Sequence, residues 1–265
     1  MVRYRPIGQA PEDRRLDRLI PDDFEHVSRW PLTVTTTPSR PVPVTIGVNW
    51  YSNFDNPAQD SRGRWWIGRG DLGSIRGGHC VCLEPGDPSS GTTEQDLDGW
   101  WNFYDQGQEG ACVGFGSSRM MSLLNRKRYF ARWLWDRAKD VDQWPDTKPG
   151  DDNGTSVRAA MDVLRGRGHV AWKSVFAPMN DDLSDAYTRS GLQPTVGEGI
   201  SANRWATRVD QVVGALQSPA NERMGAVRIL NSWGRNGYPH RVWMPYETLQ
   251  RLLDEDGEAT VVTDR

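Results

Sequence analysis

Three cysteines in 265 residues are too few for the disulfide framework that stabilises many small secreted domains. Cys80 and Cys82 stand one residue apart on a strand-like stretch, a spacing that does not suit a bond between them. No stretch approaches the ~18 consecutive apolar residues of a membrane span. The first residues, Met1-Val2-Arg3-Tyr4-Arg5-Pro6, hold no apolar run, so no signal peptide and no membrane partner are expected. A charge excess is also missing: 32 Lys and Arg face 35 Asp and Glu, which leaves no basic footprint for nucleic acid. Hydrophobic content is low at 37%, but 13 tryptophans, each burying a large area, can supply a core. There is no internal repeat and no low-complexity tract.

Residues 1–43 are rich in Pro, Arg and Asp and read as an extended arm, with a short helix near Glu12–Leu19. Such an arm suits a strap across the body, an inhibitory segment or a docking site for a protein partner. Val44–Tyr51 alternates with period two and predicts a half-buried strand. A loop from Ser52 to Ile75 follows, then Gly77-Gly78 leading into a strand from His79 to Leu83. Pro85–Gly99 is a linker by composition. Helical spacing of Val113, Met120, Met121 and Leu124 predicts a helix after Cys112, and Tyr129–Asp140 a second. Asp151-Asp152-Asn153-Gly154 is a turn, after which Thr155 or Ser156 caps a helix bearing Val157, Ala160, Met161 and Leu164. Residues 174–200 look irregular. Thr207 is the expected cap of a helix through Leu216, with Asp210 three residues on. Leu249, Leu252 and Leu253 mark a last helix, and Ala259–Val262 a last strand.

The most informative stretch is Asp105-Gln106-Gly107-Gln108-Glu109-Gly110-Ala111-Cys112-Val113-Gly114-Phe115. A glutamine and a turn of small residues lead to a cysteine at the start of a helix. A helix N-terminus favours negative charge, so a reactive thiolate is expected there. The small residues let a substrate carbonyl come close to the sulfur.

This stretch, with Asn231-Ser232-Trp233-Gly234 and Gly77-Gly78-His79-Cys80-Val81, resembles the papain-like cysteine peptidases, whose hallmarks are Gln-Gly-x-Cys-Gly-(Ser/Ala)-Cys-Trp, Asn-Ser-Trp-Gly and Gly-Gly-His-x-Val. With flanks the resemblance spans most of residues 44–250. It implies an α+β fold of two lobes, one helical and one a barrel-like antiparallel sheet. It also implies peptide hydrolysis through an acyl-enzyme. Carried over residue by residue, Cys112 is the nucleophile and His79 the general base. Asn231 orients the imidazole, and Gln106 donates to the oxyanion. Trp233 shields the His–Asn bond and borders the substrate, and Gly154 borders the cleft.

The chain order differs from the family's. There the histidine and asparagine follow the cysteine by roughly 130–150 residues, whereas here His79 precedes Cys112. A circular-permutation-like rearrangement accounts for this, since a site is defined by geometry and not by order. The implied organisation is an arm (1–43) and a catalytic domain (44–265). Within the domain, 44–84 carries His79, 85–99 links, 100–198 forms the helical lobe with Cys112, and 199–265 returns to the sheet lobe with Asn231. Val113 stands where the family has an aromatic residue. Glu109 stands where secreted members commonly have a disulfide cysteine, which suits a reducing, cytoplasmic or virion-associated setting.

Other readings stay open on the residues alone. The same triad serves an amidase or acyl transferase. A structural or interaction protein, for instance a component of a phage particle, would keep the fold without turnover. A caspase-like reading matches Gly110-Ala111-Cys112-Val113-Gly114 in part and leaves Asn231-Ser232-Trp233-Gly234 unexplained. Alternation puts Cys80 and Cys82 on the face opposite His79, so one ion cannot easily collect all three and no metal is expected. Gly68-Arg69-Gly70 lacks the lysine of a phosphate loop, and no cofactor is expected.

Overall fold

A computed structural model describes residues 37–86, 104–144, 147–148, 150–172, 192–234 and 238–264. The helix expected near Glu12–Leu19, nearly all of the linker and most of 174–200 lie outside these. The described chain is α+β: an eight-stranded mixed sheet and six helices. In chain order the elements are β1 (Val44–Tyr51), β2 (Ala58–Gln59), β3 (Trp65–Trp66), β4 (Ile75–Leu83), α1 (Cys112–Asn125), α2 (Ala131–Val141), α3 (Val157–Gly166), β5 (Ala202–Ala206), α4 (Val209–Leu216), α5 (Pro219–Met224), β6 (Ala226–Leu230), β7 (Arg241–Pro245), α6 (Tyr246–Asp254) and β8 (Glu258–Asp264). The sheet order is β2-β3-β7-β6-β4-β1-β8-β5.

Strand β4 shows how the sheet divides the core. Val81 and Leu83 point into a cluster with Val44, Ile46, Val48, Ile229 and Leu252, whereas Cys80 and Cys82 point into another with Met120, Met121, Leu134, Met161 and Leu164. Period two sends alternate side chains to opposite faces. Helix α1 packs on the Cys80 face, where Gly116 lacks the side chain that would meet Cys80 Sγ.

β1 is not half-buried: all eight residues are buried. It lies between β4 and β8 near the middle of the sheet, and α1 and α3 pack against it. Its alternate residues Thr45 and Asn49 are therefore buried as well, although their polarity suggested solvent. β4 begins at Ile75, so the paired glycines lie inside the strand. The expected Ser52–Ile75 loop contains a 3₁₀ turn and the short strands β2 and β3. Arg208, not Thr207, is the N-cap of α4, and it is Gln211 that reaches back, accepting the Thr207 and Arg208 N–H groups. Ser156 caps α3 as expected, accepting from Ala159 N at 3.1 Å.

β4 and β6 pair only at Cys82↔Leu230 and Leu83↔Ile229. Beyond that register the two part, and the gap between them holds the side chains discussed next.

Candidate active site

Asn231 follows β6 directly and reaches across the gap to His79. Asn231 Oδ1 accepts the Ser232 N–H at 2.7 Å, and His79 Nε2 stands 3.1 Å from the same oxygen. An oxygen already facing an N–H accepts again, so Nε2 carries the imidazole proton and Nδ1 the lone pair. Nδ1 has no hydrogen-bond partner among the described residues. The ring is wedged between indoles, 4.6 Å from Trp50 and 4.9 Å from Trp233 by centroids. Tyr238 packs edge-on against Trp233 at 4.7 Å.

On its other side, 231–234 meets the nucleophile stretch. Gln106 N donates to Ser232 O at 2.8 Å, Gly234 N to Tyr104 O at 3.3 Å, and Asp105 bridges Trp233. The three motifs thus lie side by side, with the Asn segment between the His strand and the Gln turn. Gln106 is fully buried, and its Nε2 donates to Glu109 O at 3.1 Å.

Cys112 opens α1, whose N-cap Ala111 offers no side-chain cap. The Cys112 side chain packs in the cluster of Cys80 and Cys82, on the face of β4 opposite Val81, with the backbone N–H groups of Cys80, Val113 and Cys112 directed at the sulfur. No hydrogen bond joins sulfur and Nδ1. Gly110 leaves room for the backbone of Asp152–Gly154, which brings Gly154 against the turn two residues before Cys112.

The expectation of a thiolate is corrected. Burial pushes the Cys112 thiol up to about 12, and the three N–H groups only partly oppose it. The partial charge at a helix end is outweighed once the sulfur is wholly out of water. His79 is pulled down to about 4 by burial, against the Asn231 bond, so thiol and imidazole are both neutral near pH 7.

His169 is no rival base. Its Nδ1 accepts the Val170 N–H at 2.9 Å, so Nε2 donates to Ser118 Oγ at 2.8 Å. Both nitrogens are in use, and the ring stacks on Tyr129.

Sequence reasoning missed Trp50, Tyr238 and a cavity of about 170 Å³ beside His79, lined by Trp50, Asp55, Arg76, Gly77, Gly78 and Trp233. Trp50 pairs with Gly77 in register, and that pairing is the signal that places it at the site. Among the described residues no group of three or more His, Cys, Asp or Glu could hold a metal ion. None of their helices is long and apolar enough to cross a membrane.

Two limbs of pH-dependent stability follow. His79 and His169 are lowered, to about 4 and about 3, so their neutral forms stabilise the fold above ~6.5. That contribution is lost as pH falls, with a slope approaching ~3 kcal/mol per unit for two groups. Cys80, Cys82 and Cys112 are all raised by burial, so stability is full below ~8.5 and falls as pH rises, approaching ~4 kcal/mol per unit for three. Urea melts from pH 4 to 10 should show both limbs. A flat profile above pH 8.5 would mean that the thiols are hydrated.

No protein-family model matches the chain, and no curated protein matches it. Among solved structures, xylellain, a cysteine protease from Xylella fastidiosa, is similar, at 15% identity and a TM-score of 0.44, with 62% of this chain and 82% of that one covered.

Proposed function

We propose that the chain is a papain-like thiol peptidase of permuted order, a two-lobed domain over 44–265 that cleaves peptide bonds through an acyl-enzyme. The observation that carries this reading is the Ser232–Asn231–His79 relay. It leaves on Nδ1 a lone pair with no partner among the described residues, which is what a base for the Cys112 thiol requires.

In the proposed reaction Cys112 Sγ attacks the substrate carbonyl as its proton passes to His79 Nδ1. The oxyanion takes an N–H from Gln106 Nε2 and the Cys112 backbone N–H. Nδ1–H then protonates the leaving amine, and a water, giving its proton to Nδ1, releases the acyl group. Asn231 fixes the ring throughout. Trp233 covers the His–Asn bond, and with the adjoining cavity it borders the leaving side of the substrate. Gly154 offers backbone on the acyl side. Because thiol and imidazole rest neutral, proton transfer accompanies attack. The substrate is a peptide or protein, and an amidase or acyl transferase would use the same steps with another acceptor. We read 1–43 as a strap across the body, or else a docking arm for a protein partner or an inhibitory segment, in a cytoplasmic or virion-associated setting.

A second reading has its own support. Cys112 and Gln106 are fully buried and His79 is 1% exposed, as in a structural or interaction protein that keeps the fold without turnover. A peptidyl epoxide incubated with the native chain decides between them. The peptidase reading expects labelling at Cys112 that is absent in Cys112→Ala and sharply slower in His79→Phe, which keeps the ring between Trp50 and Trp233. Labelling that occurs only after urea is added favours the structural protein.

A further inference from the structure

One face of α2 grips the turn that carries Gln106 and Cys112. Arg132, Trp135 and Lys139 lie at i, i+3 and i+7 and form one stripe. Arg132 Nε donates to Glu109 Oε2 at 2.5 Å, with its guanidinium 5.2 Å from the Phe115 ring. Trp135 Nε1 donates to Asn153 O at 3.0 Å. Lys139 Nζ donates to Asp151 O at 2.6 Å and stands 3.7 Å from the Trp135 centroid. The turn held by Trp135 and Lys139 accepts the Gly110 N–H on Asp152 Oδ1 at 3.2 Å. The nucleophile turn is therefore fixed to α2 directly at Glu109 and indirectly at Gly110.

Glu109 is the pivot. Its carboxylate is on Arg132, while its backbone carbonyl takes one N–H of Gln106. A carboxamide has two amino hydrogens. With one anchored, the direction of the other is set by where the Glu109 carbonyl lies.

We propose that Glu109 and Arg132 form a positioning pair that aims the free Gln106 N–H at the substrate oxygen. The role in catalysis rests on the thiol-acyl reading of the site. Magnitudes separate this from plain stabilisation. The carboxylate side chain is 31% exposed, and a partly solvated pair contributes only ~1 kcal/mol to stability. A donor displaced by ~1 Å, by contrast, costs about 10²-fold in rate.

The test compares Glu109→Gln, Arg132→Gln and Arg132→Lys with wild type. It reads kcat and KM on a peptide ester, iodoacetamide alkylation of Cys112, melting midpoint, and hydrogen exchange of the Gln106 side-chain amide by NMR. In the two Gln variants the proposal expects kcat down ~10–100-fold, with KM and alkylation within about threefold and amide exchange about tenfold faster. Arg132→Lys should recover part of kcat. The pair is overturned if kcat and amide exchange stay within about twofold of wild type. It is also overturned if kcat, alkylation and melting midpoint fall together, which marks general loosening. Should wild type show no Cys112-dependent turnover, the peptidase reading fails separately. Amide exchange then decides the pair alone: faster exchange supports it and unchanged exchange removes it.

Discussion

Phenylalanine at His79 is expected to lower peptide turnover by as much as ~10⁴-fold, the upper range for loss of a general acid–base. The substitution is chosen so that the fold survives it. The imidazole fills a slot between Trp50 and Trp233, and alanine there would leave a cavity costing several kcal/mol. A phenyl ring keeps the wedge and removes both nitrogens. Asn231 Oδ1 retains the Ser232 N–H and is not orphaned. The measurement is kcat on a peptide ester from pH 5 to 9, beside melting curves. Turnover above about a tenth of wild type, with Cys112 still required, would assign the base elsewhere. A large fall in melting midpoint would instead mark the ring as packing.

The candidate site was legible because its chemistry sits in short motifs. Gln106, Cys112, His79 and Asn231 each announce themselves within a few residues; the fold sets Asn231 against His79 and its neighbour Ser232 against Gln106, and buries Cys112 at the start of α1 with no bond to the imidazole. What escaped notice is supplied from far along the chain. β5 reads Ala-Asn-Arg-Trp-Ala, without alternation strong enough to name a strand, and its pairing comes from β8. Thr45 and Asn49 looked solvent-facing because polarity is local information, whereas the helices over them are not. α5 was missed although its signals were present: Ser218 as cap and Pro219 at the first turn. The thiolate expectation failed for a related reason. A helix terminus can be read from sequence, but the depth at which it is buried cannot.

Replacing Glu84 by glutamine is expected to cost about 3 kcal/mol or more, a loss of roughly 10 °C in Tm for a chain of this size. Glu84 directly follows β4, with its side chain 1% exposed. It pairs with Arg228 Nε of β6 at 2.6 Å and Arg241 Nη2 of β7 at 3.3 Å. The wholly buried Arg119 of α1 also feels this carboxylate: burial lowers its guanidinium to about 10, opposed by Cys82 and Tyr104 and, more weakly, by Glu84. Removing one negative charge therefore leaves several guanidiniums short of compensation in a poorly hydrated space, a greater loss than any net contribution of the pairs themselves. The exposed Arg208–Asp210 pair is the contrast, and Asp210→Asn is expected to stay within ~0.5 kcal/mol. Position gives this network its functional meaning. It clamps β4 to β6 at the end where they still pair, while His79 and Asn231 face each other where they have parted. Loosening the clamp should widen the His–Asn separation before the sheet melts. In Glu84→Gln, kcat should therefore fall at temperatures where circular dichroism is still native. Urea melts within about 1 kcal/mol of wild type, with kcat unchanged, would show that the arginines are compensated by other groups and that the clamp lies elsewhere.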